Sequence, residues 1–169
     1  MNIEFPYQVV AFLDKKPAIG ENVYYGENGW YPQIALKRRF KSVDLHEDKL
    51  ISQLGEYFSS KNSFSVETKE LIQPDRMPVK VLEVVPSLEL MNFHKDFISF
   101  MGTNIISRYP DRDGDNYLPH ITAEFANEMV IDSELYSNKK FVIAKVCLLK
   151  DVANENSVAY KFFDLNVNE

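Results

Sequence analysis

The chain has 169 residues, of which 45% are hydrophobic and 13% aromatic, which is enough apolar material for a packed core. Its formal net charge is −6, so we do not expect the basic surface with which proteins bind long nucleic acid duplexes. The single cysteine excludes an internal disulfide, and the N-terminus lacks the pattern of a signal peptide. No stretch of about 18 apolar residues is present to span a membrane. We therefore expect one domain over residues 1–169, located in the cytoplasm.

The first half of the chain alternates strands with one helix. Branched and aromatic residues predict a strand at Tyr7–Asp14, and the glycines and proline of Lys15–Gly29 predict a long loop. Asp44 and Glu47 have the spacing of a capping box at the start of an amphipathic helix that ends near Ser59–Lys61. Further strands of this half are predicted at Tyr31–Phe40, Phe64–Leu71 and Val79–Val85.

The second half begins with a predicted amphipathic helix from Ser87 to about Ser107. A polar loop, Arg108–Asn116, separates this helix from the next strand. The elements that complete the chain are a strand at Phe141–Lys150, a polar turn at Asn154–Ser157 and an edge strand at Tyr160–Leu165. This order of elements is an α+β pattern in which helices pack outside sheets.

A five-residue segment of the second half has an altered copy in the first half. Leu118-Pro119-His120-Ile121-Thr122 corresponds to Tyr31-Pro32-Gln33-Ile34-Ala35, with an offset of 120 − 33 = 87 residues. A repeat of about half the chain length is typical of two similar halves that face one another. Because strand side chains alternate between faces, His120 and Thr122 share one face. By the same rule, one face of the first strand carries Gln33, Ala35, Lys37 and Arg39.

A histidine and a threonine on one strand face can act together on a phosphate. Near pH 7 a neutral imidazole can take a proton from an attacking hydroxyl, or give one to a leaving oxygen. The threonine hydroxyl can donate a hydrogen bond to a phosphate oxygen. Cleavage of a phosphodiester without a metal needs a base and an acid on opposite sides of phosphorus. The chain keeps His120 and Thr122, whereas Gln33 can hold a phosphate oxygen but cannot exchange protons near pH 7.

The paired segments, their spacing and the order of elements resemble the 2H phosphoesterase superfamily, which includes 2′-5′ RNA ligase-like proteins and cyclic nucleotide phosphodiesterases. The resemblance runs from about Tyr7 to Leu165. It implies an α+β fold of two pseudo-symmetric lobes, whose antiparallel sheets form a central cleft that binds a nucleotide phosphate, with helices packed outside. It further implies that His120 is a catalytic acid or base and Thr122 a phosphate ligand, with no cofactor. Gln33 and Ala35 depart from the first motif of the superfamily.

Other residues near the two motifs are candidates for substrate binding. Lys37 and Arg39 can attract an anion and are favoured over Arg38 by strand alternation. Tyr31 and Tyr117 lie at the starts of the two motifs. Each can stack on a base, and the alternative for both is packing in the core. No pair of histidines has the spacing of a metal site, so no metal site is predicted.

Three functions are compatible with this pattern. The first is a metal-independent phosphodiesterase that acts on cyclic or 2′-5′-linked nucleotides or RNA ends, with activity reduced by the altered first motif. The second is a non-catalytic protein that binds and sequesters a nucleotide in the same cleft. The third is a protein-interaction scaffold. In each case neither a long duplex nucleic acid nor a membrane is an expected partner.

Overall fold

The computed structural model describes residues 4–24, 29–153 and 156–167, apart from the side chain of residue 153. The strands are β1 Tyr7–Phe12, β2 Gln33–Ser42, β3 Phe64–Ile72, β4 Val81–Val84, β5 Ile105–Ser107, β6 His120–Thr122, β7 Glu124–Phe125, β8 Glu128–Met129, β9 Lys140–Ile143, β10 Lys145–Ala153 and β11 Asn156–Asp164. The α-helices are α1 Glu47–Ser59, α2 Leu88–Met101 and α3 Ser133–Tyr136. Short 3-10 helices lie at Gly102–Asn104, Pro110–Arg112 and Gly114–Asn116.

One curled antiparallel sheet contains nine strands in the order β11-β10-β1-β2-β6-β4-β3-β9, with β5 attached to β2. The strands on either side of the β2/β6 boundary form two lobes. These lobes meet where Ile34 of β2 pairs with Ile121 of β6, which are the central residues of the two related segments. The predicted α+β fold class is confirmed, and the antiparallel sheets of the two lobes join edge to edge at the motifs.

Helices α1 and α2 cover one face of this sheet. Phe58 of α1 stacks on Phe97 of α2 with ring centroids 5.9 Å apart, and both side chains belong to the main core. Ile34 and Ile121 are fully buried in the same core, where burial of one such side chain contributes about 1.5–3 kcal/mol. Because side chains alternate along a strand, the neighbours of both isoleucines point to the opposite face of the sheet. The fold therefore places both motifs on the face without these helices.

Strand β2 contains extra residues relative to its neighbour β1. The pairing shifts by one residue between Phe40 and Lys37, and by another between Lys37 and Ala35. Each β-bulge of this kind reverses the alternation of the side chains beyond it. Alternation counted from Gln33 therefore does not predict which of residues 37–39 point to the open face.

Most of the predicted elements are confirmed with small differences at their ends, including the helix that ends near Ser59 and the strands that become β1 to β4 and β11. The loop predicted at Lys15–Gly29 has no helix or extended strand in its described part. Residues 25–28 of that loop lie outside the described residues. So do residues 154 and 155 of the turn predicted at Asn154–Ser157.

The second predicted helix is shorter than expected. Helix α2 ends at Met101, because Gly102 has a φ of 50° and a ψ of −126°, a non-helical conformation that glycine adopts at little cost. Residues Ile105–Ser107, predicted as the last turn of the helix, instead form β5 and pair with the end of β2. The amphipathic pattern continued beyond the helix because β5 also has partly buried positions.

The strand predicted at Phe141–Lys150 is in fact two strands, which separate at Ala144. Strand β9 pairs with β3 at one edge of the sheet, whereas β10 pairs with β1 and β11 in the other lobe. The Ala144 carbonyl accepts a hydrogen bond from the backbone N–H of Leu165 where the chain passes between the lobes. Continuous apolar sequence predicted one strand because both pieces are apolar and no glycine or proline marks the break.

The capping box predicted at Asp44 and Glu47 is wrong. His46 is the N-cap residue and makes no side-chain capping bond, while Asp44 has a φ of 55°. Glu47 instead accepts hydrogen bonds from the hydroxyls of Tyr7 and Tyr160 and pairs with Lys150, whose Nζ is 2.6 Å away. Burial raises the pKa of Glu47, but these hydrogen bonds outweigh that effect and lower the pKa to about 2. Glu47 therefore fastens α1 to the sheet.

Candidate functional site

A cavity of about 220 Å³, here called the motif cavity, lies on the open face of the sheet where the two lobes join. Strands β2 and β6 run antiparallel through the Ile34–Ile121 pair, so an approximate two-fold axis passes between the two motifs. The residues that line the cavity are Gln8, Val10, Tyr24, Trp30, Gln33, Ala35, Arg38, Arg39, Tyr109, His120 and Thr122. The structure thus brings the intact motif and its altered copy to one site.

The imidazole of His120 is held in a single tautomer. Its Nδ1 lies 2.8 Å from the Leu118 carbonyl oxygen, which can only accept, so Nδ1 carries the proton and donates. Its Nε2 lies 3.1 Å from Nη2 of Arg38, which can only donate, so Nε2 accepts. His120 is therefore neutral, with the lone pair of Nε2 directed at the Arg38 guanidinium.

The surroundings of His120 oppose its protonation. Burial lowers the pKa of His120 to about 4; the hydrogen bond to the Leu118 carbonyl opposes this shift, and the positive charges of Arg38 and Arg112 add to it. At pH 7 the ring is therefore an unprotonated base. An anion bound beside Arg38 would offset this positive charge and raise the pKa of His120.

Arg38 is the basic residue of β2 that faces His120, in contrast to the expectation from strand alternation. The two bulges in β2 turn its side chain to the open face, where it lines the motif cavity. Among the described residues Arg38 contacts no carboxylate, and its hydrogen bond to His120 is its polar contact at this site. A half-buried guanidinium without a counter-charge favours an anion at this position.

Lys37 does not line the motif cavity and points to the helix-covered face. It is 1% exposed, and its Nζ lies 2.8 Å from Ser107 Oγ and 3.1 Å from the Asp113 carboxylate. Burial lowers the pKa of Lys37, and Asp113 offsets only part of that effect. The predicted role of Lys37 in anion binding is not supported by this position, because the ion pair with Asp113 already uses its charge. Lys37 instead joins β2 to the loop before β6.

Arg39 does line the motif cavity, as its predicted role requires, but its charge is compensated. Its guanidinium forms an ion pair with the buried carboxylate of Asp151, which also accepts a hydrogen bond from Ser157. Arg39 thus contributes less positive potential than Arg38 does.

Two glutamine amides at the motif cavity have unpartnered polar atoms. Within the described part of the chain, Gln33 Oε1 and Gln8 Nε2 are buried and form no hydrogen bond. Gln8 is only 8% exposed, and an unpaired buried amide group costs about 1–3 kcal/mol. A half-turn of the Gln33 amide exchanges its oxygen and nitrogen, so either glutamine can donate to a phosphate oxygen. Gln8 was not predicted, because no pattern in an apolar strand distinguishes a ligand from a core residue.

The two tyrosines predicted to stack on a base lie outside the motif cavity. Tyr31 is buried in the smaller apolar cluster, and its hydroxyl donates to Glu21 Oε1 at 2.5 Å. Tyr117 donates to the Ala35 carbonyl at 2.9 Å and stacks on His94 at 4.0 Å between ring centroids. Both side chains are buried, as expected from the alternative of core packing, and Tyr117 also lines a second cavity next to His120.

Other aromatic residues do reach the motif cavity. Tyr24, Trp30 and Tyr109 line it, and the rings of Tyr24 and Trp30 have centroids 4.7 Å apart. Each offers an aromatic face of the kind on which a base can stack. Trp30 is the single tryptophan of the chain and precedes the altered motif directly, which is the signal that could have identified it.

Within the described ranges no group of three His, Cys, Asp or Glu side chains lies close enough together to hold a metal ion. His94, another histidine of the chain, is 1% exposed, donates from Nδ1 to the Leu36 carbonyl and accepts from the Gly114 N–H at Nε2. Both ring nitrogens are thus used within the core. No helix of the described residues has the length and apolar content needed to cross a bilayer.

Solved structures share this architecture over nearly the whole chain. A phosphoesterase matches with a TM-score of 0.61 and 14% identity, over 97% of this chain and 99% of that one. LigT of E. coli in complex with 3′-AMP matches with a TM-score of 0.60 and 16% identity, over 96% of this chain and 98% of LigT. The protein has the 2H phosphoesterase fold. A protein of Thermus thermophilus matches with a TM-score of 0.60 and 10% identity, over 97% of this chain and all of that one.

No protein-family model and no curated protein sequence matches this chain. The relation to the 2H phosphoesterase fold is therefore visible in the structure, in the half-chain repeat and in the His120/Thr122 motif. In this chain the 2H fold carries Gln33 and Ala35 on the β2 side of the two-fold axis and His120 and Thr122 on the β6 side. Consequently, only the β6 side carries a side chain, that of His120, that can exchange a proton near pH 7.

Proposed function

We propose that this chain binds the phosphate of a nucleotide or RNA end in the motif cavity and slowly hydrolyses cyclic or 2′-5′-linked phosphodiesters, without a metal, through His120. The observation that carries the proposal is the neutral imidazole beside Arg38, in a cavity that Thr122 and Gln33 also line. LigT, which has the same fold, is known in complexes with 3′-AMP, ATP, NADP+ and phosphate, and this supports a nucleotide ligand.

Binding depends on groups that can donate to phosphate oxygens. Arg38 provides a positive charge and several N–H donors, and the Thr122 hydroxyl provides another donor on the β6 side. The buried amides of Gln8 and Gln33 gain hydrogen-bond partners when a phosphate occupies the cavity. When Arg38 turns toward the phosphate, it also releases Nε2 of His120.

His120 then acts as the base in hydrolysis. A water molecule transfers a proton to Nε2 as its oxygen bonds to phosphorus, and the bond from phosphorus to the leaving oxygen breaks. The leaving oxygen takes its proton from solvent, because Gln33 cannot donate one as an acid. Loss of one of two acid–base groups lowers the rate by about 10²–10⁴. Slow turnover is therefore expected.

A second candidate function is nucleotide binding without catalysis. It is favoured by the contact between Arg38 and His120, which occupies the lone pair that a base needs. In that case the motif cavity sequesters a nucleotide, and replacement of His120 changes affinity only.

Hydrolysis of 2′,3′-cyclic nucleotides and 2′-5′-linked oligoadenylates, with EDTA present, tests the proposal. We expect His120→Ala to abolish turnover and Arg38→Ala to weaken binding of 3′-AMP by at least about tenfold, measured by calorimetry. His46→Ala and Lys49→Ala are matched controls on the exposed surface of α1 and its N-cap. Turnover that survives His120→Ala would contradict the mechanism. Binding without turnover favours the second candidate, and the absence of any binding favours an interaction scaffold.

A further inference from the structure

A second cavity, here called the arginine cavity, adjoins the motif cavity. It has a volume of about 440 Å³, and Arg38 and His120 line both cavities. Arg76, from the segment between β3 and β4, and Arg112, from a 3-10 helix before β6, complete its basic lining. Three arginines that are distant in sequence thus converge on one cavity, in a chain whose net charge is −6.

The arginines of the arginine cavity have no ion-pair partner in the described part of the chain. Among the described residues, none of these three arginines forms an ion pair with a carboxylate, although Asp111 also lines the cavity. Arg112 lies over the Tyr109 ring at 5.3 Å from its centroid, and Arg38 bonds to His120. Burial and the repulsion from Arg112 lower the pKa of Arg38. A polyanion that contacts both guanidinium groups would relieve this repulsion.

The sizes of the two cavities indicate a ligand that extends through both. Ligand sites of proteins usually measure roughly 300–1,000 Å³. The motif cavity, at about 220 Å³, is too small to enclose a whole nucleotide. The arginine cavity is within the usual range, and Met77 and Leu118 give it an apolar part beside its arginines. A phosphate in the motif cavity therefore leaves space for the rest of a nucleotide next to Arg76 and Arg112.

We propose that the arginine cavity binds a second phosphate group of the ligand whose first phosphate occupies the motif cavity, so that the ligand is a nucleoside carrying two separate phosphates, as in a nucleoside bisphosphate or a 5′-phosphorylated RNA end. Arg38 lies between the two phosphates, and the planar fork of its five N–H donors can serve both. Arg76 and Arg112 bind the second phosphate only. This inference rests on the proposed function, since it assumes that the motif cavity holds the first phosphate.

Calorimetry with 3′-AMP and adenosine 3′,5′-bisphosphate tests the inference, because these ligands differ only in the second phosphate. We expect the bisphosphate to bind at least about tenfold more tightly, as charge-assisted hydrogen bonds add affinity. In the variant with Arg76→Ala and Arg112→Ala, that advantage should fall below about threefold, while the affinity for 3′-AMP changes little. The variant with Lys161→Ala and Lys49→Ala loses the same charge from exposed side chains that line neither cavity, and it should keep the advantage.

The outcomes separate this inference from the proposed function. If 3′-AMP binds but the second phosphate adds no affinity, or if the control variant loses as much as the Arg76 and Arg112 variant, the inference is wrong and the proposed function stands. If the bisphosphate binds through Arg76 and Arg112 while His120→Ala and Arg38→Ala leave 3′-AMP binding unchanged, the motif cavity is not the phosphate site. If neither ligand binds, both proposals fail. Circular dichroism of each variant verifies folding.

Discussion

At the scale of single residues, the site is defined by one proton carrier and one residue that cannot carry a proton. His120 is neutral and can accept a proton at Nε2, whereas Gln33 can only form hydrogen bonds. Ground-state binding of a phosphate requires donors and positive charge, but turnover also requires proton transfer. Because these demands fall on different groups, the proposed function predicts that affinity and rate can be changed separately.

The altered motif offers a direct test of this separation. In the variant with Gln33→His and Ala35→Thr, turnover should rise on the order of 10²-fold, because a second acid–base group enters the cavity. The affinity for 3′-AMP should change by less than about threefold, since Arg38 and Thr122 remain. Single-turnover kinetics gives the rate and calorimetry the affinity, with Ala35→Thr alone as the control. If the native protein turns over rapidly and the double substitution slows it, Gln33 takes part in a different mechanism.

At the scale of elements, strand β2 decides which basic side chains reach the site. Regular alternation predicted Lys37 and Arg39, and two bulges instead place Arg38 and Arg39 at the motif cavity and Lys37 in the core. A bulge depends on how two strands pair, and the sequence of one strand does not contain that information. The sequence did predict that His120 and Gln33 lie at one site. Each directly precedes the isoleucine through which β2 and β6 pair.

The position of Lys37 leads to a prediction about stability. Lys37→Met leaves the Asp113 carboxylate without its buried partner, and we expect a loss of about 2–4 kcal/mol in the free energy of unfolding, measured with urea. Lys69→Met, which removes a partly exposed ion pair with Glu83, should cost less than about 1 kcal/mol. Binding of 3′-AMP to folded Lys37→Met should stay within a few-fold of the native value. If binding is lost while stability is unchanged, Lys37 is the phosphate ligand that strand alternation predicted.

At the scale of the whole molecule, the sheet joins two lobes at the motifs, covers one face with helices and leaves the other for the site. The sequence predicted the α+β class, the repeat and the convergence of the two motifs. The periodicity of a strand and a repeat at a fixed offset can both be recognised in the sequence itself. The sequence did not predict that the chain crosses between the lobes at Ala144, because this crossing depends on the pairing of β9 and β10 with strands of different lobes. The sequence also did not predict the basic lining of the arginine cavity, since residues 38, 76 and 112 come close together only in the folded chain.

The same global packing determines how stability depends on pH. Burial lowers the pKa of His94, and burial with Arg38 and Arg112 lowers the pKa of His120 to about 4. The unfolded chain therefore binds protons below about pH 6.5 that the folded chain does not bind. The contribution of both histidines is fully present above about pH 6.5 and declines as the pH falls below that value, and for His120 it is lost as the pH falls toward 4. Protonation of Glu47, whose pKa is about 2, affects stability only in a lower window, below about pH 4.5.

As the pH is lowered from 6.5 to 5, we expect His120 to reduce the free energy of unfolding by about 1–2 kcal/mol, since one pKa unit corresponds to about 1.4 kcal/mol. Urea unfolding at pH 7, 6 and 5 measures this loss, and His120→Gln should reduce it, whereas His46→Gln, at the exposed N-cap of α1, should not. Inorganic phosphate should stabilise the native protein more at pH 5 than at pH 7, because an anion beside Arg38 favours the protonated imidazole. A pH profile that is the same for native protein and His120→Gln would mean that His120 is protonated in the folded state as readily as in the unfolded chain.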